Sequence, residues 1–186
     1  MTNRFLFPLL LILFAWVSQP AFAQVNATKF YRLTSTNGLS QNHVKAVVKD
    51  HKGFMWFATE DGLNRFDGYK FTVYKNNPSQ KGSLSNSLVY DVLEDRSRRL
   101  WVATQNGLNL LDREKNTFTH FLKDSGEVFI KCMLEDRKNR LWLGTTKGLV
   151  LFTPGGKPKW FTHHDQANSL ASNYIYRLAE DNKGRL

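Results

Sequence analysis

The sequence predicts an all-β fold made of repeated four-stranded units, and three observations predict it. Trp56, Trp101 and Trp142 stand 45 and 41 residues apart, and Gly62, Gly107 and Gly148 keep the same two intervals. Asp50, Asp95, Asp136 and Asp181 continue the pattern at 45, 41 and 45. Aligned without a gap, residues 39–67 and 84–112 are identical at 12 of 29 positions. Repetition at this period marks a stacked or closed array of small units, each unable to bury its apolar faces alone.

Each copy reads as four short strands. The first is 44–49, 89–94, 130–135 and 175–180, rich in β-formers and too short for a helix. A turn opened by Asp follows, then the Trp strand: Met55-Trp56-Phe57-Ala58, Leu100-Trp101-Val102-Ala103 and Leu141-Trp142-Leu143-Gly144. Glu60-Asp61-Gly62, Gln105-Asn106-Gly107 and Thr146-Lys147-Gly148 come next, and Asp-Gly or Asn-Gly is a strong hairpin signal because the turn needs positive φ. A third strand leaves each Gly, and the fourth is 71–74, 118–121 and 160–163. Four antiparallel strands every 41 to 45 residues describe a β-propeller blade. The Gly-Gly of kelch blades and the Gly-His and Trp-Asp of WD40 blades do not recur. The expected organisation is an N-terminal strand at 24–38, blades at 39–83, 84–124 and 125–169, and the start of a fourth at 170–186. Phe30-Tyr31-Arg32-Leu33 is read as a closing strand lent to a last blade. Asp181-Asn-Lys-Gly-Arg-Leu186 calls for a Trp at the following position, so the propeller is expected to be incomplete in these 186 residues.

Residues 1–23 read as a secretory signal peptide. One Arg precedes an apolar run of 13 residues, and Ala21-Phe22-Ala23 fits the cleavage pattern. Export fits an oxidising compartment, yet Cys132 is the only cysteine, so no disulfide forms within the chain. The formal charge is +10 at pH 7, with Lys and Arg scattered through turn segments such as DRSRR and DRKNR. That distribution reads as a solvated surface rather than a nucleic-acid footprint.

The repeat Leu-Ser-x-Asn, apolar strand, Glu-Asp, Asp-x-x-Gly, Leu-Trp-x-Gly-Thr, Gly-Leu-Asn-x-x-Asp resembles the two-component regulator propeller repeat. Phe66-Asp67-Gly68-Tyr69-Lys70-Phe71 and Gly38-Leu39-Ser40 match the way such sensors begin. The resemblance implies the periplasmic sensor region of an inner-membrane signalling protein, its output a histidine kinase (often a hybrid carrying a receiver) or a diguanylate cyclase. It also implies an extracellular ligand such as a glycan or other nutrient, attachment to the membrane through sequence beyond Leu186, and a homodimer for the full-length sensor. The chain departs from the repeat at Arg98 and Asn139, which replace the turn glycine, and at Ser125-Gly126, which replace Leu-Ser. An exported propeller enzyme acting on glycans and a non-catalytic scaffold or adhesion propeller remain as alternatives.

Residues kept in every copy solve a problem every blade has. Trp56, Trp101 and Trp142 are therefore expected to pack between blades, and Asp50, Asp95, Asp136 and Asp181 to bond their own turns. Gly62, Gly107 and Gly148 belong to the same structural set. No catalytic set, metal site or cofactor is expected: His163-His164 lacks further ligands at metal spacing, and Gly155-Gly156 lacks the strand–loop–helix context of a phosphate loop. Positions that break the pattern are the functional candidates. On the first strand Ala46 aligns with Asp91, Cys132 and Arg177 near the propeller axis. Strand parity places Glu60, Asp61, Gln105, Asn106 and Lys147 on one rim with the loops at 76–83 and 164–169, where a ligand is expected.

Overall fold

The computed structural model describes residues 29–123 and 128–186. The signal-peptide reading of 1–23, residues 24–28 of the expected N-terminal strand and the Ser125-Gly126 departure lie outside the described residues. The chain divides into two units, Met1–Arg32, of which only 29–32 are described, and Leu33–Leu186. In the first, Phe30 and Tyr31 are exposed and the backbone joins no ladder. The larger unit opens with a single 3-10 turn, Ser35–Asn37, whose ends are held by Thr34 and the left-handed Gly38.

Three four-stranded antiparallel sheets follow, each a meander in sequence order. The first blade holds β1 (Val44–Lys49), β2 (Met55–Thr59), β3 (Gly62–Phe66) and β4 (Phe71–Tyr74). The second holds β5 (Val89–Glu94), β6 (Leu100–Thr104), β7 (Gly107–Asp112) and β8 (Thr117–Phe121). The third holds β9 (Ile130–Glu135), β10 (Leu141–Thr145), β11 (Gly148–Phe152) and β12 (Lys159–Phe161). The first strands are neighbours from blade to blade, β1 beside β5 and β5 beside β9, so they form the inner edge of the array. Residues 175–180, expected as a fourth inner strand, enter no ladder, since a strand needs a partner and no described strand pairs with them. Its place is nevertheless marked: Ile175 donates its N–H to the Thr145 carbonyl at 2.9 Å, and the Asp181 turn closes as in the earlier copies.

Burial explains the lockstep tryptophans. Trp56 is fully buried among Ala58 and Leu63 of its own blade and Leu84, Val89, Val92, Leu100 and Val102 of the next. Trp101 packs with Ile130, Met133, Leu141, Leu143 and Val150 across the following seam. Each indole also does polar work. Trp56 Nε1 donates to Asp50 Oδ2 at 2.8 Å, Trp101 Nε1 to Asp95 at 2.8 Å, and Trp142 Nε1 to Asp136 at 2.9 Å. The other carboxylate oxygen accepts turn N–H groups, from Phe54, Arg99 and Arg140 at 2.9 Å each. One Asp thus closes a turn and anchors a buried ring, which is why Asp and Trp keep a fixed spacing of six.

The turns tolerate their departures. Arg98 and Asn139 adopt φ of 65° and 58°, the left-handed conformation Gly53 and Gly184 take at the equivalent positions. At the β2–β3 type hairpins the Thr59, Thr104 and Thr145 hydroxyls donate to the carbonyls of Gly62, Gly107 and Gly148 at 2.7–3.0 Å. Those glycines have positive φ, and a Cβ on each would strike the carbonyl oxygen of Tyr74, Phe121 or Phe161 on the outermost strand.

Candidate functional site

The rim residues do not converge. Glu60 turns inward, pairing with Lys45 Nζ at 2.9 Å and His43 Nδ1 at 3.0 Å. Asp61 turns outward to Lys75 Nζ at 2.6 Å. Gln105 is tied by its backbone N–H to the Leu88 carbonyl at 3.0 Å, on the inner side. Asn106 lines a peripheral concavity of about 920 Å³ with the 76–83 loop, Thr117, Thr119 and His120. Lys147 contributes its backbone N–H to Thr145 Oγ1 at 3.0 Å. At the first tip Glu60 and Asp61 thus face opposite ways.

Asp91 and Arg177 lie near the inner edge, without direct contact. Both Asp91 oxygens are used by backbone: Oδ1 accepts Val92 N–H at 2.9 Å and Oδ2 accepts Met133 N–H across the seam at 2.8 Å. Burial raises its pKa to about 6, although these bonds and the positive charge of Arg177 pull the other way. Cys132 is buried beside it, and desolvation with the Asp91 charge pushes the thiol up to about 11, so it is a packed group rather than a nucleophile. Its sulfur occupies the space that a Cβ on Gly144 would need, at 2.5 Å, which accounts for Gly where the other blades have Ala58 and Ala103.

A second candidate cluster lies one position earlier. Each inner strand carries an irregularity at the same point, between Val44 and Ala46, between Val89 and Asp91, and opposite Gly144 and Thr145. A bulge releases one residue from the ladder and re-aims its side chain. The residues released are Lys45, Tyr90 and Lys131, and Tyr176 stands at the same position in the fourth copy. They gather with His43 and Arg177 around a concavity of about 420 Å³ on the rim that carries the β2–β3 hairpin. Lys131 Nζ sits 3.6 Å from the Tyr90 ring centre and 5.8 Å from that of Tyr174, while Lys45 Nζ lies 5.5 Å from Tyr90. Tyr174 and Tyr176 pack with ring centres 4.5 Å apart. Cations and tyrosines therefore alternate along the inner mouth. Desolvation opposes the Lys131 charge, but the Tyr90 and Tyr174 phenols outweigh it and raise its pKa. Comparing the Lys45, Tyr90, Lys131 and Tyr176 column in the sequence would have exposed this alternation; the column of Ala46 shows only variability.

Comparison with known proteins agrees with this architecture. Segments 38–61, 83–106 and 116–147 match the two-component regulator propeller family. Over 74 residues, 40% of this chain, it is 40% identical to histidine kinase P4 of Formosa agariphila. It spans only 5% of that protein. Its fold is similar, at a TM-score of 0.72 and 22% identity, to the extracellular domain of a hybrid two-component system from B. thetaiotaomicron, covering 87% of this chain and 22% of that one. A catalytically inactive virginiamycin B lyase from Staphylococcus aureus, crystallised with quinupristin, shares the fold at a TM-score of 0.56 and 14% identity over 78% of this chain and 49% of the lyase.

Proposed function

We propose that this chain is part of the extracytoplasmic sensor of a bacterial membrane signalling protein, with a histidine kinase as output and a diguanylate cyclase as the second reading. The observation that carries the proposal is the in-register run of two-component regulator propeller repeats, together with the 40% identity to a histidine kinase. The exported location is supported by the leader-like 1–23 and by the extracellular placement of the structurally similar domain. Signal transfer requires a ligand that binds one arrangement of the propeller better than another, since equal affinity for both shifts nothing. A mouth assembled from four successive copies suits that task, because a ligand touching several blades feels their relative packing. Attachment to the membrane through sequence beyond Leu186 and a homodimeric parent are part of the same reading.

The test is the whole gene product in its own membrane. Vesicles containing it should incorporate phosphate from ATP onto histidine, and the product should resist alkaline salt extraction. A gene product that is released from the membrane intact and takes up no phosphate would remove the kinase reading; nucleotide cyclisation from GTP in the same vesicles would replace it with the cyclase.

A further inference from the structure

The mouth has an uneven charge balance that bears on what it binds. Glu60 holds Lys45 and His43, and the contacts lower its pKa, chiefly through Lys45. Asp91 is turned into the seam and engaged by two backbone N–H groups. Among the described residues no carboxylate lies within ion-pair distance of Lys131 or Arg177. Lys131 instead sits against the rings of Tyr90, Phe129 and Tyr174, a cation held by aromatic faces with its charge unneutralised. Tyr176 packs beside Tyr174 at the edge of the same concavity and is 69% exposed among the described residues. Two exposed tyrosines in contact, next to an ammonium and a guanidinium that form no ion pair among the described residues, make a surface with two complementary demands. One is a negative group for the cations, and the other is a flat C–H or aromatic face for the rings.

We infer that the inner mouth formed by Tyr90, Lys131, Tyr174, Tyr176 and Arg177 binds a ring compound bearing a carboxylate or sulfate group. The anionic group sits between Lys131 and Arg177, and the ring lies against Tyr176. Lys45, already neutralised by Glu60, is held in reserve at the other side of Tyr90. The inference deepens the sensor reading by naming its ligand chemistry, and it rests on that reading only for biological purpose.

Isothermal titration of the full chain with galacturonate, benzoate, galactose and inorganic sulfate tests it. Saturable binding of galacturonate or benzoate is expected, with sugar acid and aromatic acid separating the two kinds of ring. Galactose should be at least about tenfold weaker than galacturonate, and sulfate alone weaker than either ring acid. Lys131→Met should cost at least about tenfold in affinity and Lys131→Arg should restore most of it, as one lost charge-assisted contact predicts. Glu60→Gln should strengthen binding a few-fold by releasing Lys45, a gain that a damaged fold does not produce. Equal binding of galactose and galacturonate, sulfate binding as tightly as the ring acids, or no saturation by either ring acid up to about 10 mM would each overturn the inference. Those failures leave the sensor reading standing with its site elsewhere. Failure of the membrane phosphorylation test leaves this site standing.

Discussion

The two blade seams use one clasp with different sources of charge. At the second seam the Asp95–Trp101 pair takes a guanidinium from its own turn, Arg99 Nε at 2.6 Å, and in the third blade Arg140 serves Asp136 at the same distance. In the first blade Phe54 occupies that position, and the charge comes from the neighbour instead. Arg113 reaches back from the second blade to Asp50 at 2.7 Å and to Glu94 at 2.7 Å, with His51 completing the cluster at 2.6 Å from Glu94. At the second seam the equivalent Glu135 accepts the Arg96 N–H at 2.9 Å, and Arg96 extends to the Asp136 carbonyl and Asn139. The fold therefore requires a cation at the buried carboxylate–indole pair and leaves open which blade provides it. Buried carboxylates make that requirement strict, since an unpaired charge in such a place is far more costly than the pair is favourable.

The largest effect should come from the shared part of the clasp. Trp101→Ala removes a buried ring between two blades and should cost about 4 kcal/mol in chemical denaturation. Trp142→Ala should cost less, since that ring is 8% exposed against 1% for Trp101. Arg113→Ala should follow at about 3 kcal/mol, because it strands Asp50 and Glu94 together. Phe54→Arg in that background should recover a large part of the loss by restoring the arrangement of the other blades; no recovery would break the equivalence drawn between Arg99 and Arg113. Gly144→Ala should cost about 2 kcal/mol, since its Cβ meets the Cys132 sulfur and Ile175 at once. Cys132→Ala in that background should relieve part of it, matching the Ala46–Ala58 pair of the first blade.

The smallest effect is a pH slope. Asp91 has a folded pKa of about 6, above its ordinary value, so the folded chain holds the proton more tightly than the unfolded chain. Its contribution to stability is complete below the unfolded pKa and is lost as pH rises through about 6. Between pH 5.5 and 7 that loss amounts to about 1 kcal/mol, and Asp91→Asn should flatten the slope by this amount. Asp136 behaves oppositely. Burial works against it, but the Trp142 indole and Arg140 hold its pKa near 2, so its support is complete above the ordinary carboxylate pKa and is lost as pH falls from there through about 2.

Most of the fold could be read from the sequence because each copy repeats the same solution. The hairpin glycines, the Asp turns and the tryptophans are separately recognisable and mutually confirming. The Asp–indole bond escaped, since spacing reveals that two residues travel together and not that they touch. The use of Arg113 in the role of Arg99 escaped for a related reason: it exchanges a contact four residues apart for one 63 residues apart, which aligning the copies cannot show. Within the blades, Ser40, Thr59 and Asn64 form a buried polar set repeated as Ser85, Thr104 and Asn109. In the third copy Val150 replaces the Asn and Gly126 the Ser, a joint change legible in the sequence as the loss of both partners. The site was less legible. Alignment of the inner strands singled out Ala46, Asp91, Cys132 and Arg177, but a bulge shifts which residue is released from the ladder, and strand alternation alone cannot place a bulge.

The central claim is a division of labour: lockstep residues hold the blades together, while the divergent inner column binds. Paired measurements of denaturation midpoint and galacturonate affinity on Asp95→Asn and Lys131→Met test it most directly. The account predicts that Asp95→Asn lowers the midpoint with affinity retained, and that Lys131→Met lowers affinity with the midpoint retained. A Lys131→Met chain that unfolds as readily as the Asp95 variant while binding galacturonate unchanged would contradict it.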